Sequence, residues 1–443
     1  MNAQFLRFLA SIGHLLSMIS RTVVLGIALL YASLASAQEK ELVILTTFSR
    51  EPLLPLIDEF SKQYQDVDVQ VVHRRAQSSI QMLSKSYIQN IDIVLSSSPY
   101  LMQHLAENGR LTTLPERFQA PEWLRPYMLP PAGQVVTIGY SGAGIVWNRD
   151  YLQTHQLPKP KQFSDLTSPV YFGHLTMSTP ARSGTTQLMV ESILAKYGWQ
   201  EGWRLLTNIG ANMATISSRS FGVSDYVAKG QFGIGPTIDS YALILERKFD
   251  HVEFAYDESF TLMPTYVGLV KQQHNDIYAK AFIDLLMSKA VQTNMDSNDF
   301  AKHGLSDNSL FNDRFTRLSV ATLIQREDCM NLLFDLMISK RLPALKDTWL
   351  SLINARKHYQ DNPQVLAQIK QIEQQIFSVP ISEKELDAVV NQISPLADVS
   401  DDSQQAAKTM LLTELSHLWK KQIDANQQQA NEQLKSLLRV TTP

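Results

Sequence analysis

Glycine divides this chain more sharply than any motif does. All 18 glycines of the 443 residues lie at or before Gly304, and the 139 residues that follow contain none but hold 15 glutamines. Glycine serves turns, bends and close backbone approach, so the two regions are built differently, and the boundary falls near residues 305–312. Ahead of it, short apolar or β-branched runs alternate with helix-length segments: LVILT (42–46), VDVQVV (67–72), IDIVLS (91–96), HLTMS (174–178) and FGIG (232–235). That alternation predicts an α/β architecture with a mostly parallel sheet and helices on both faces. Beyond the boundary, FTRLSVATLIQREDCMNLLFDLMISKRL (315–342) carries apolar residues at three and four spacing, and Pro343, Pro363, Pro380 and Pro395 punctuate further helices. Four or five antiparallel helices are predicted. The last, over about 403–438, places Leu411, Leu412, Leu415, Leu418 and Trp419 on one stripe, which either packs within the protein or docks a partner.

Residues 1–37 contain no acid, carry Arg7 and Arg21, and run uncharged from Thr22 to Ala37. A basic start, an apolar stretch and the small residues Ala35-Ser36-Ala37 are the order of a secretory signal peptide cleaved before Gln38. The apolar stretch is shorter than the roughly 18–20 residues that cross a bilayer, and it ends in small rather than charged residues. The mature chain is expected to begin near Gln38, to be periplasmic, and to carry a net charge of −5 in place of −3, because two arginines and no acids are removed. Glutamine rather than cysteine at that position argues against a lipid anchor. Cys329 is the single cysteine, so no intramolecular disulfide forms, and it reads as a small buried hydrophobe.

Composition and motifs exclude several function classes. Forty Lys and Arg against 43 Asp and Glu leave no basic excess for a nucleic-acid backbone. There is no GxSxG, no HExxH and no GxxxxGK[ST], and the ten histidines form no tight ligand spacing. Neither an enzyme nor a metal or cofactor site is expected.

The strand ends hold the candidate chemistry, since open α/β sheets bind ligands outside the carboxyl ends of their strands. The first run ends in Thr46-Thr47-Phe48-Ser49-Arg50-Glu51-Pro52 and leads into an amphipathic helix. Hydroxyls and free amides at a helix N-terminus suit an anion, although ordinary capping by Ser49 accounts for the same residues. The second run ends in His73-Arg74-Arg75 and the third in Ser96-Ser97-Ser98-Pro99. The strongest local signal is Met177-Ser178-Thr179-Pro180-Ala181-Arg182-Ser183-Gly184-Thr185-Thr186. There Ser183 can cap a helix, Gly184 admits close backbone approach, and Arg182 offers a forked donor for carboxylate or phosphate. Arg219, in Ser217-Ser218-Arg219-Ser220, is a further basic candidate or a solvated loop charge.

Four stretches, ELVILTTFSREPLLPLIDEFSKQY, GYSGAGIVWNRDYL, TPARSGTTQLMVESIL and MPTYVGLVKQQHNDIYAKAFIDLLMSKAVQTNM, with GQFGIGPTIDSYAL, cover residues 40 to about 308. In their shared order they resemble the type 2 periplasmic solute-binding proteins, in the branch of ferric-ion and phosphorylated-metabolite binders. The resemblance implies a two-lobe α/β core over 38–308, with lobe 1 from about 38–137 and 262–308 and lobe 2 from about 138–261, followed by a C-terminal all-α extension over 309–443. It implies a ligand between the lobes, touched by Thr47, Ser49, Arg50, Ser97, Ser98, Ser141, Gly142, Arg182, Ser183, Gly184 and Thr185. Ferric members place two adjacent tyrosines where this chain has Asp239-Ser240-Tyr241. A lone Tyr241 is a poor iron set, whereas clustered Ser, Thr and Arg match phosphate and carboxylate oxygens.

The implied mechanism is closure on a small anionic phosphorylated metabolite, a phosphoglycerate-like carboxylate, and a closed shape read by a membrane partner. The helical tail resembles that of a regulatory member of the family, so the expected partner is a sensor kinase that governs uptake, with a transporter permease as the alternative. Two other readings stay open: delivery of ferric ion or another anion to an ABC transporter, and an interaction protein that acts through the tail.

Overall fold

The computed structural model describes residues 40–84, 90–118, 120–271, 276–295, 302–310, 315–394 and 402–440. The expected signal peptide lies outside the described residues. The chain first lays down β1 (Glu41–Thr46), α1 (Leu54–Gln63), β2 (Asp68–His73), α2 (Ala76–Ser84), β3 (Ile93–Ser96), α3 (Pro99–Glu107), β4 (Leu111–Thr112) and β5 (Val136–Ser141). It then builds a second sheet from β6 (Ala143–Asn148), β7 (Leu175–Met177), β8 (Met213–Ile216), β9 (Ile234–Ile238) and β10 (Val252–Tyr256). These strands are interleaved with α4 (Arg149–Thr154), α5 (Gly184–Tyr197), α6 (Trp199–Asn212), α7 (Ser220–Ala228) and α8 (Asp239–Lys248). The long strand β11 (Met263–Val270) returns to the first sheet, followed by α9 (Ile277–Leu286) and α10 (Lys289–Thr293).

The first sheet runs β2-β1-β3-β11-β4, with β5 also on β11, and the second runs β10-β6-β9-β7-β8. Both are mixed rather than mostly parallel. β1 pairs in parallel with β2 and β3, but β11 lies antiparallel to β3, β4 and β5. The cause is the crossing: β11 arrives from the second lobe and enters the first sheet against the direction of the strands that leave it. Each lobe thus contains parallel units plus a strand that belongs to the passage between lobes. That passage is short on the outward side, where β5 and β6 are separated by Gly142 alone.

The apolar run of β1 is buried on both faces, as a central strand must be. Leu42 and Ile44 join one core with Phe60 and Phe282, while Val43 and Leu45 join another with Leu101 and Met102. This period-two partition sandwiches the first sheet between helix layers. Phe60 of α1 anchors one layer, stacked on Tyr64 at 4.7 Å and edge-on to Phe282 at 5.4 Å.

Among the described residues the tail forms five helices: α11 (Val320–Phe334), α12 (Leu342–His358), α13 (Pro363–Ile376), α14 (Glu383–Ile393) and α15 (Asp402–Val440), with a π-turn over Asp335–Ser339 after α11. Local capping starts them. Ser319 accepts from Thr322 N at 3.3 Å, Asn362 accepts from Val365 N at 3.2 Å, and Ser382 with Glu385 makes a reciprocal capping box. The tail does not pack on itself alone. Met330, Leu333, Phe334, Met337, Ile338 and Trp419 share one continuous core with Trp199, Trp203 and Ile209 of the second lobe. Trp199 Nε1 donates to Ile381 O at 2.8 Å, and Trp349 Nε1 donates to Asn212 Oδ1 at 2.6 Å. Cys329 is buried within that core, where burial pushes its thiol up to about 12.

The expected α15 stripe is corrected at one position. Trp419 is buried and Leu411, Leu412 and Leu415 pack against the shared core, but Leu418 is 63% exposed. The buried line continues through Ile423, Ala430 and Leu434. Leu418 sits one residue, about 100° of helix rotation, before Trp419 and so falls off that line.

Candidate functional site

Between the lobes lies a cleft of about 640 Å³ with its mouth included, and its walls are built from strand ends and helix starts. Among the described residues, five helices open onto it. α2 contributes Ala76 and Gln77, α3 its cap Ser98, α5 its first residues with the cap Ser183, α7 Ser220 and Phe221, and α8 Tyr241. The caps are visible as hydrogen bonds: Ser98 Oγ accepts from Leu101 N and Ser183 Oγ accepts from Thr186 N, both at 3.2 Å. Each helix start brings the positive end of a dipole toward the cleft. Arg75, Arg182 and Arg219 stand among them, and Glu327 is the one carboxyl among the described lining residues.

Contacts join the lobes across this cleft. Arg219 donates to His73 Nε2, and its guanidinium lies 5.7 Å over the Phe221 ring. Burial first, then Arg219 and Arg74, push the His73 imidazole down to about 4, so it is neutral at physiological pH and free to accept from Arg219. At Gly184 the lobes meet backbone to backbone, where a Cβ would lie 3.2 Å from both Cα and Cβ of Ser98. The glycine is therefore spent on interlobe approach. Ser97 Oγ is a lining atom buried without a hydrogen-bond partner among the described residues, whereas the Gln77 and Gln187 amides face the Glu327 carboxyl. Unsatisfied polar atoms are costly in a core, and a polar ligand is what such a cleft accommodates.

The structure brings together Thr47, Ser97, Ser98, Arg182, Ser183, Gly184, Thr185, Arg219 and Tyr241 as lining residues. It does not place Ser49, Arg50, Ser141 or Gly142 there. Ser49 makes no side-chain cap, its main chain meeting the Tyr241 hydroxyl instead, and Arg50 is solvent-exposed. Burial pushes the Tyr241 phenol upward, away from the phenolate an iron ligand must become. Ser141 and Gly142 sit at the crossing. There Gly142 N donates to Asp239 Oδ2 at 2.7 Å, and the buried Lys302 ammonium donates to Ser141 Oγ at 3.0 Å and Ser240 Oγ at 3.1 Å. Asp239 also accepts from Tyr256 OH at 3.2 Å and meets His303 Nε2 at 3.1 Å, so these residues form the polar hinge on which the lobes are joined.

Sequence reasoning did not carry His73, Arg75, Gln77, Gln187, Phe221 or Glu327 into the site. His73 and Arg75 had a signal, standing at a polar strand end, and Gln187 follows the Ser183 cap by one helical turn. Glu327 had none, because it lies in the tail.

Comparison with known proteins follows the same outline. The bacterial extracellular solute-binding protein pattern matches residues 89–326. The phosphoglycerate transport regulatory protein PgtC of Salmonella typhimurium is 35% identical over 328 residues, which cover 72% of this chain and 82% of that protein. Among solved structures, the periplasmic binding protein AfuA from Actinobacillus pleuropneumoniae, with exogenous fructose-6-phosphate bound, superposes with a TM-score of 0.56 at 18% identity, over 66% of this chain and 99% of AfuA. Iron-bound HitA from Pseudomonas aeruginosa superposes with a TM-score of 0.52 at 16% identity, over 66% of this chain and 98% of HitA. At those identities the structures establish the two-lobe fold and leave the ligand to the cleft itself.

Proposed function

The chain belongs to the bacterial extracellular solute-binding proteins, and on that premise we propose that it binds a small phosphorylated carboxylate of the phosphoglycerate kind between its lobes. We infer further that the closed form is read by a membrane sensor that governs uptake of that compound. Family members of this kind bind and deliver or report solutes and are not enzymes. No described helix is long and apolar enough to cross a membrane, and export is assigned to the N-terminal segment, cleaved before Gln38.

The observation that carries the ligand reading is the convergence of five helix N-termini with Arg75, Arg182 and Arg219 on one cleft. Helix starts and guanidinium forks are the complementary surface for an oxyanion of multiple charge. Ser97, Ser98, Ser183 and Thr185 add hydroxyl donors. The relative PgtC, by its name a phosphoglycerate transport regulator, supports the three-carbon acid as the first ligand to try. The ferric reading is less suited to this cleft, where Tyr241 has no neighbouring tyrosine and a buried, protonated phenol. Sensing is preferred to delivery because the tail is fused into the core of the second lobe, so lobe movement carries the tail with it.

The test is the thermal midpoint of the chain with and without millimolar 3-phosphoglycerate, 2-phosphoglycerate, phosphoenolpyruvate, inorganic phosphate and ferric citrate. Ligand at 100 times its dissociation constant adds about 2.7 kcal/mol, a shift of a few degrees. A shift with the phosphorylated acids that disappears in Arg182→Ala is expected. A shift with ferric citrate alone, or with none of them, refutes the reading.

A further inference from the structure

α11 presents different faces to the two lobes. Leu323, Met330 and Leu333 belong to the second lobe's core, and Arg326 on the same side is paired with the buried Glu191 of α5. Val320 and Ile324 instead pack against the first lobe's core, beside Tyr100 and Leu101 of α3. At about 100° of rotation per residue the two sets lie about 110° apart around the helix axis, so a single helix spans two bodies. Glu327 continues the line of Val320 and Ile324 at three-residue spacing. Its buried carboxyl meets amides from both sides, Gln77 of the first lobe at 3.4 Å and Gln187 of the second. Burial, then the neighbouring Asp328, push that carboxyl up to about 8, so at neutral pH it lies between the lobes as an uncharged acid.

The two attachments are unequal. Besides its apolar contacts and Arg326, α11 is tied to α15 by Lys408, whose ammonium lies 2.6 Å from Asp328, and α15 enters the second lobe's core through Trp419 and Ile423. α11 therefore moves with the second lobe. Its hold on the first lobe is made by the partly buried Val320 and Ile324 and by the Gln77 amide. That hold also lies off the hinge, since Glu327 lines the cleft and the hinge residues Ser141, Gly142 and Asp239 do not. Rotation about a hinge displaces atoms in proportion to their distance from it. Opening thus draws Val320, Ile324 and Glu327 away from α3 and α2 while the contacts with the second lobe stay intact.

We propose that α11 is a clasp: anchored in the second lobe, it grips the first lobe only when the lobes are together, so the tail contributes to closure and sets how much ligand completes it. The clasp goes beyond the ligand reading, requires no particular ligand, and rests only on hinged closure of the two lobes. Clasp and ligand act on the same equilibrium, because each makes contacts that the open form lacks. A helical tail is then more than a passive addition, since it fixes the set point from which a ligand has to shift the lobes.

The experiment is distance measurement by double electron–electron resonance on the ligand-free chain, spin-labelled at Lys62→Cys and Lys229→Cys. These positions are exposed on the first and second lobes, and Cys329 is buried out of the label's reach. The labelled parent is compared with Val320→Ser/Ile324→Ser, which cuts the α11 side of the grip, with Tyr100→Ala, which cuts the α3 side, and with the exposed tail position Leu418→Ser. The parent is expected to hold a populated short-distance, closed component without ligand. Each grip variant is expected to raise the ratio of open to closed about tenfold, the loss of a partly buried apolar contact made only on closure, and Leu418→Ser to leave that ratio unchanged. Folding is read from circular dichroism, and the second grip variant replaces the first should the first not fold. A parent with no closed component, which needs no variant to fold, or a ratio unchanged in the folded grip variants, overturns the clasp. Either result leaves the ligand reading standing, because that reading is tested by thermal shift with ligand present.

Discussion

Beside the shared apolar core, a buried ion pair ties the tail to the second lobe, and breaking it from one side has a calculable consequence. Arg326 of α11 meets Glu191 of α5 through Nε at 3.1 and 2.9 Å to the two carboxylate oxygens, with Nη2 also on Oε2. The side chains are only 10% and 2% exposed. The second partner of Arg326, Glu383 at 3.2 Å, is 53% exposed and contributes at most about 1 kcal/mol. Arg326→Met preserves the bulk of the side chain and strands the Glu191 charge in the core, which is expected to cost about 3–5 kcal/mol. Replacing both partners, Glu191→Leu with Arg326→Met, removes the stranded charge and should return stability to within about 1 kcal/mol of the unmodified chain. Burial already pushes the Glu191 carboxyl upward. The single variant should therefore be less damaged at pH 5, where the carboxyl takes up a proton, than at pH 8. The assay is urea unfolding followed by circular dichroism, with the four proteins forming a double-mutant cycle. A loss below about 1 kcal/mol in Arg326→Met, or a double variant that equals the sum of the singles, refutes the claim that this pair locks the tail to the lobe. A separate tail transition in the unmodified protein refutes the shared core.

Two further outcomes follow from the cleft. Gly184→Leu places a side chain where Ser98 Cα and Cβ stand 3.2 Å from the glycine's Cβ position, so closure is blocked. Differential scanning fluorimetry should show an unliganded midpoint within about 2 °C of the parent but no ligand-induced shift, and a retained shift would refute the contact. His73, held neutral down to about 4, against an ordinary value of 6.5, binds its proton more readily when the chain is unfolded. Stability from this group is complete above pH 6.5 and lost as the pH falls toward 4. His73→Asn should flatten that part of the midpoint-against-pH curve, and an unchanged slope would show that His73 does not titrate as its surroundings require.

Much of the fold was legible because it is written in short periods. The described elements beyond the last glycine are all helices, and the apolar runs at 42–46 and 91–96 marked strands that are buried on both faces. In the tail, Pro343 and Pro363 stand in the first turns of α12 and α13, as their punctuation of the sequence indicates. Of the cleft, Ser183 and the residues around it were legible for the same reason, since a cap and the helix it starts are neighbours in sequence. Ser49, Arg50, Ser141 and Gly142 illustrate the limit. Polar residues at a strand end and at a crossing look alike in sequence, yet one pair surrounds a turn outside the cleft and the other belongs to the hinge held by Asp239 and Lys302.

The sequence by itself determined the local elements and the composition of the strand ends, because periodicity, capping and turn chemistry act within a few residues. The direction of β11, the outward turn of Leu418, the shared core of tail and second lobe, and the entry of Glu327 into the cleft were decided by tertiary structure. Gln77 and Glu327 are 250 residues apart in the chain, and nothing in either neighbourhood specifies the other. Their meeting depends on how α11 is seated across both lobes. That seating is the sum of many nonlocal apolar contacts, from Val320 against the first lobe to Phe334 in the core of the second, and hydrophobic burial favours contact without naming the partner.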